Sequence, residues 1–206
     1  MTTHKFRFTT PFKKGDEQTL AAALADNAAV RDALGLAPSD DPLVVTPMRS
    51  SVVNLAFFDR LQEAGLVADA GYIRQMAEEM VDGVPINDHV RDVLINPESE
   101  HADLFSEADR LEFLFFIFTV LCVGGSMCQP DETWQPYLET TKALYRELVK
   151  VHKTAATGDI EVSSIVVMLK GRGLVNPASP FSFACLIIDP KLKHATIWRW
   201  ERKSFW

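Results

Sequence analysis

Long apolar runs are missing from this chain of 206 residues. No stretch reaches the ~18 consecutive apolar residues of a membrane-crossing helix, so no transmembrane span is expected. No apolar segment follows Met1, which argues against a secretory signal. Basic charge is also in short supply: 21 lysines plus arginines stand against 28 aspartates plus glutamates, giving a net charge of −7 and a pI near 5.2. Phosphate backbones need a basic surface, so nucleic acid is not the expected partner. Cysteine is scarce too. The thiols Cys122, Cys128 and Cys185 lie within or beside hydrophobic runs and are odd in number. That fits reduced, buried thiols in the cytosol rather than a disulfide framework.

Patterns that carry chemistry are equally sparse. Cys122 and Cys128 stand six apart with Gly124-Gly125 between them, and His4, His89, His101, His152 and His194 are scattered without paired spacing. Zinc ligands come in close pairs, so no metal or cofactor is expected. Ser126 in GGSMC lacks the second glycine of a nucleophile elbow, because Cys128 stands there. Gly171 and Gly173 in KGRG have neither the third glycine nor the following helix of a dinucleotide fingerprint. The carboxylate pairs Glu78-Glu79, Asp40-Asp41 and Asp131-Glu132 sit in polar surroundings and read as solvated charge. No enzyme activity is expected. The competing reading is an enzyme of unrecognised type, with Cys128 or a histidine in a polar cleft.

What the chain does have is one strongly apolar stretch, Ser106 to Cys128. Ser106 is a suitable N-cap, with Glu107 and Asp109 in the first turn. From Leu111 to Val123 only Glu112 and Thr119 are not hydrophobic, and Gly124-Gly125 ends the run. A helix apolar all round is buried. The expectation is one central core helix, with Phe113, Phe116 and Leu121 almost fully covered.

Around it, Lys5–Phe8 reads as a short strand, and Asp16–Leu36 as two alanine-rich helices with Asn27 as cap or break. Leu43-Val44-Val45 is extended. Asn54–Ala64, Gly71–Val81 and Asn87–Ile95 carry helical spacing, the second through Ile73, Met76, Ala77 and Met80. A further helix begins near Pro136, with Tyr137, Thr141, Leu144, Leu148 and Val151 on one face. Beyond Gly158 the period changes. Segments 160–170, 182–188 and 195–199 are β-branched and aromatic, with a turn at Asp189-Pro190-Lys191. The expected class is α+β: a mainly helical body with a buried central helix, packed on a small antiparallel C-terminal β-sheet. One compact domain, 1–206, is expected, helix-rich over 1–157 and sheet over 158–206.

Two surfaces stand out as binding candidates. Lys142, Arg146, Lys150 and Lys153 recur at helical spacing and would form a basic ridge on an acidic protein, or simply a solvated face. In IWRWERKSFW, Trp198 and Trp200 share one face of a strand and Trp206 closes the sequence. These rings either complete the core or anchor a partner.

Five blocks, in order, resemble the cilia- and flagella-associated protein 300 family. They are FRF at 6–8, AFFDRL at 56–61, LEFLFFIF with LCVGGSMCQ over 111–129, PYLETTKALYRELVKV at 136–151 and FSFACLIIDPKLKH at 181–194. The segment between Phe8 and Pro42 and the loop Gly171–Pro180 are short against the family pattern. The resemblance implies a non-enzymatic adaptor or assembly factor for outer and inner axonemal dynein arms in motile cilia and flagella. It also implies a cytoplasmic pool and movement into the cilium. The partners implied are dynein arm assembly factors, axonemal dynein subunits and the intraflagellar transport machinery; charge and hydropathy set nucleic acid and membrane aside.

Overall fold

A computed structural model describes residues 1–124, 132–154, 158, 160–176 and 182–201. The chain first forms β1 (Thr2–Arg7), α1 (Glu17–Ala25), α2 (Ala28–Ala33) and β2 (Val44–Met48). Next come α3 (Asp59–Glu63), the strands β3 (Gln75–Val81) and β4 (Val84–Asp88), and α4 (His89–Ile95). They are followed by α5 (Glu107–Arg110), α6 (Phe113–Val123) and α7 (Gln135–Leu148). The described chain ends in β5 (Val151–Lys153), β6 (Ile160–Val162), β7 (Ile165–Lys170), β8 (Phe183–Asp189) and β9 (His194–Trp200). Two compact units result: a sheet unit of Met1–Ser50 with Leu148–Trp206, and an inserted unit, Ser51–Glu147.

In the sheet unit, five antiparallel strands run in the order β1-β9-β8-β7-β2. Val167, Leu169, Ala184, Leu186, Ile188, Ala195 and Ile197 share a core cluster with Leu20, Leu24, Val30 and Leu34 of α1, α2 and the residue after it. Ala21 of α1 is buried in the same cluster. Asn27 caps α2, its side-chain oxygen accepting from Val30 N–H at 3.2 Å. The opposite residues of β8 are buried as well, Cys185 and Ile187 among them, so β8 reads as a continuous apolar run.

The inserted unit is built on α6. Phe58, just before α3, stacks on Phe118 with ring centroids 4.1 Å apart, and Phe105 lies 4.9 Å from Phe115. Arg60 covers the edge of this aromatic group, 4.7 Å from the Phe57 centroid and 5.0 Å from that of Phe105.

Three expectations are corrected. The body is not mainly helical: 34% of the described residues are helical and 30% extended. The large sheet is not a C-terminal appendage, because N-terminal β1 and β2 form its two edges. Within the inserted unit, the helix expected over Gly71–Val81 is instead strand β3 of a hairpin with β4. The apolar spacing there is outweighed by Asp82-Gly83, whose φ values of 48° and 75° are both positive, as a type I′ hairpin turn demands.

The central helix is also interrupted. Ser106 and Asp109 form a reciprocal capping box, as the sequence suggests, but α5 stops after Arg110. Glu112 is extended, with φ −70° and ψ 135°, and α6 starts afresh behind it. Phe113 is fully covered, whereas Phe116 and Leu121 are only half-buried. Among the described residues no helix is long and apolar enough to cross a membrane.

Candidate protein-binding surfaces

Helix α7 is amphipathic. Tyr137, Leu138, Thr141, Tyr145 and Leu148 are buried, and Glu139, Lys142, Arg146 and Glu147 are exposed. Lys142 and Arg146 sit one turn apart on the exposed side. The ridge expected to continue through Lys150 does not stay on the helix. Lys150 N–H donates to Ser164 Oγ at 2.9 Å, and Lys150 C=O accepts from Ser163 N–H at 2.8 Å and Ser163 Oγ at 3.1 Å. These bonds replace the next helical turn and lead the chain into β5. Lys150 and Lys153 are exposed there, beside Val151 at 49% exposure.

The aromatic end divides differently. Trp198 is buried at 1% exposure, its ring 4.5 Å from that of Phe183 in an edge-on arrangement. Trp200 is half-buried, 6.3 Å from the same phenyl ring, and Trp206 lies outside the described residues. Trp200 is therefore the member of the pair that meets solvent.

Sequence reasoning passed over a polar framework inside the inserted unit. Glu112 is 2% exposed, and its carboxylate accepts from Ser51 N–H at 2.9 Å, from Val52 N–H at 3.2 Å and from the Ser51 hydroxyl. It thereby pins the first residues of the unit. Burial, and then the charge of Glu112, pushes the Tyr145 hydroxyl up. Arg110 donates to four carbonyls, those of Phe105, Leu94, Val93 and Ala102, at 2.9–3.2 Å. Arg91 pairs with Asp88 at 3.0 Å and donates to Cys122 C=O, also at 3.0 Å. Burial pushes the Asp88 carboxyl up, partly offset by the Arg91 bonds and charge. Asp92 accepts from Asn96 Nδ2 at 2.7 Å and from Ser99 Oγ at 2.5 Å. The one signal of all this in the sequence is a carboxylate, Glu112, inside an apolar run.

Charge separates along the unit boundary. Residues 51–147 hold eighteen acidic and six basic side chains, net −12; the remainder holds fifteen basic and ten acidic, net +5. Lys142 and Arg146 are thus two of only six cations in a strongly acidic unit.

The sheet unit has a cleft of about 590 Å³ beside Lys14, Glu17, Pro47, Ser163 and Ser164. Another, of about 540 Å³, lies beside Asp41, Lys170, Gly171 and Phe183. Neither places a histidine or cysteine among its described lining residues. Cys122 and Cys185 are buried, and burial pushes both thiols up, away from the reactive thiolate. Cys128 and Ser126 lie outside the described residues. Among those described, no group of three or more His, Cys, Asp or Glu is placed to hold a metal.

A family model described as cilia- and flagella-associated protein 300 matches residues 1–200. A protein of that name from Chlamydomonas reinhardtii is 39% identical over 123 residues, covering 59% of this chain and 48% of that protein. Another, from Paramecium tetraurelia, is 34% identical over 154 residues, covering 73% of this chain and 60% of the relative. The chain thus spans about half to three-fifths of the length of the curated relatives it matches. No solved structure matches it. With the family model covering nearly every residue, the chain belongs to the cilia- and flagella-associated protein 300 family.

Proposed function

We propose that this protein is a non-catalytic adaptor in motile cilia and flagella that helps to assemble or deliver outer and inner dynein arms. It works by binding, with a pool in the cytoplasm and a fraction carried into the cilium. Dynein arm assembly factors, axonemal dynein subunits and the intraflagellar transport machinery are its partners in this reading. Membership of a cilia- and flagella-associated family supports the setting.

The observation that carries the binding role is the exposed Lys142–Arg146 pair on a unit of net charge −12. Local positive charge on a negative background marks a place on this unit where an acidic partner can approach, and aligned cations set the docking register. Lys150, past the helix end and within the sheet unit, is a separate exposed cation. Trp200, half-buried at the end of β9, is a second candidate anchor.

The test is cellular. Axonemes from cells lacking the protein should keep their microtubule doublets but show depleted outer and inner arms by electron microscopy, with weak beating. A full set of arms in those axonemes would overturn the assembly role.

A further inference from the structure

The two edges of the large sheet are not equivalent. At one edge, β2 carries Pro47, which has no N–H to offer a further strand. At the other, β1 runs six residues without proline or bulge, in register with β9 from Thr2↔Arg199 to Arg7↔His194. Phe8 N–H donates to Lys193 C=O at 3.0 Å, which sets the phase of the ladder. In an antiparallel pair the backbone groups alternate sides. Phe8, Phe6, His4 and Thr2 therefore point theirs at β9, and Thr3, Lys5 and Arg7 point theirs outward. Those three residues are exposed.

Charge surrounds this edge. Lys5 and Arg7 project from one face, and Lys191 and Lys193 are exposed in the turn that meets Phe8. None of the four makes an ion pair among the described residues. Leu192, between the two lysines, is 55% exposed. On the other face Phe6 is half-buried against the core, leaving part of its ring uncovered.

We propose that β1 is a docking edge for an extended, acidic segment of a partner protein, which adds as a sixth strand. Backbone groups of Thr3, Lys5 and Arg7 supply the ladder. Acidic side chains of the incoming strand lie across from Lys5 and Arg7, and alternate apolar ones pack beside Phe6. A second copy of the chain is the wrong occupant. Antiparallel β1–β1 pairing about Lys5 sets lysine against lysine, and like charges directly opposite one another are destabilising. The proposal is independent of the α7 ridge, since no residue of that helix takes part.

The experiment uses the full chain and a fluorescein-labelled peptide of three Glu-Val repeats. Its controls are a Lys-Val peptide and a Glu-Val peptide N-methylated on alternate residues. The Glu-Val peptide should bind by fluorescence anisotropy, weaken as salt rises, and lose at least about tenfold in affinity to Lys5→Glu/Arg7→Glu. Lys5→Pro removes an outward N–H without touching the bonds to β9, so it should keep native hydrogen-exchange protection in β8 and β9 yet weaken the peptide similarly. N-methylation should abolish binding whatever the protein variants do. Unchanged affinity with the N-methylated peptide or with folded Lys5→Pro would overturn strand addition. Equal binding of the Lys-Val peptide would overturn the acidic preference. Self-association of the wild type in sedimentation, lost in Lys5→Pro, would replace the proposed partner by a second copy.

Discussion

The two units bury their interiors by different means. In the sheet unit the covered residues are nearly all apolar, and the five-stranded ladder pairs most of the backbone, with Arg31 donating to the carbonyls of Ala25 and Arg172, and Arg199 to that of Leu34. In the inserted unit Asp88, Asp92 and Glu112 are all buried, and Arg60, Arg91 and Arg110 hold carbonyls, carboxylates and rings. The difference follows from secondary structure. A sheet pairs its own N–H and C=O groups, whereas short helices joined by irregular segments leave many unpaired at their ends. Side chains must then supply the partners. The sheet unit should accordingly depend mainly on shape, and the inserted unit more on charge.

Four measurements sharpen or break that contrast, each read by chemical unfolding with hydrogen exchange resolved to the separate units. Leu186→Ala should act through lost packing alone and cost about 3–5 kcal/mol, the same at pH 5 and pH 8. A strong pH dependence would break the contrast from the sheet side. Arg110→Met keeps the apolar stem of the side chain but leaves four carbonyls without their donor, and should cost about 2–4 kcal/mol in the inserted unit. A neutral outcome would mean that those carbonyls find other donors.

Glu112→Gln should cost about 1–2 kcal/mol, because the amide presents one oxygen where the carboxylate presents two acceptors. Loss of exchange protection should centre on 51–52 and the start of α6. Uniform loss across both units would contradict a local role. The smallest effect belongs to Asp109→Asn, less than about 1 kcal/mol, since its pair with Arg60 is partly solvated. Burial alone would push the Asp109 carboxyl up, but bonds from Ser106 and Arg60 outweigh it and hold the group below the usual carboxylate range. A carboxyl lower in the folded than in the unfolded chain stabilises above the unfolded value and loses that contribution as pH falls through the folded one. Asp109→Asn should therefore flatten the acid limb of the stability profile and leave the neutral region nearly unchanged. Asp88 has the opposite sign: its raised carboxyl takes up a proton more readily when folded, so its contribution falls as pH rises through that window.

Much of this fold was legible in the residues, and the failures have physical causes. A strand is read at 5–8 and β1 runs from 2 to 7; two helices are read either side of Asn27, which caps the second; the segments at 182–188 and 195–199 are strands, while 160–170 divides into β6 and β7. Phe58 and Phe118, from two blocks of the resemblance, do meet. The hairpin at 75–88 is hidden because Ile73, Met76, Ala77 and Met80 mimic a helical stripe, while the decisive signal is the Asp82-Gly83 pair. Glu112 broke the central helix through partners 61 and 60 residues away, which no local window contains. The ridge lost its regular spacing for the same kind of reason, since Ser163 and Ser164 capture the backbone of Lys150. The charge division was countable from the start, but the boundaries at 50/51 and 147/148 come only from tertiary contacts.

In the proposed reading this chain acts by charge-guided binding. Lys142→Glu/Arg146→Glu/Lys150→Glu changes the net charge by six units at three exposed positions and leaves the buried side of α7 intact. Binding of wild-type and variant protein to purified dynein arm assembly factors across a salt series, with circular dichroism of both, separates docking by these cations from a solvated face. The wild type should bind and weaken as salt rises, and the folded variant should bind at least about tenfold more weakly with a shallower salt dependence. Equal affinity and equal salt slope for the folded variant would contradict the claim and reduce the ridge to a solvated helix face.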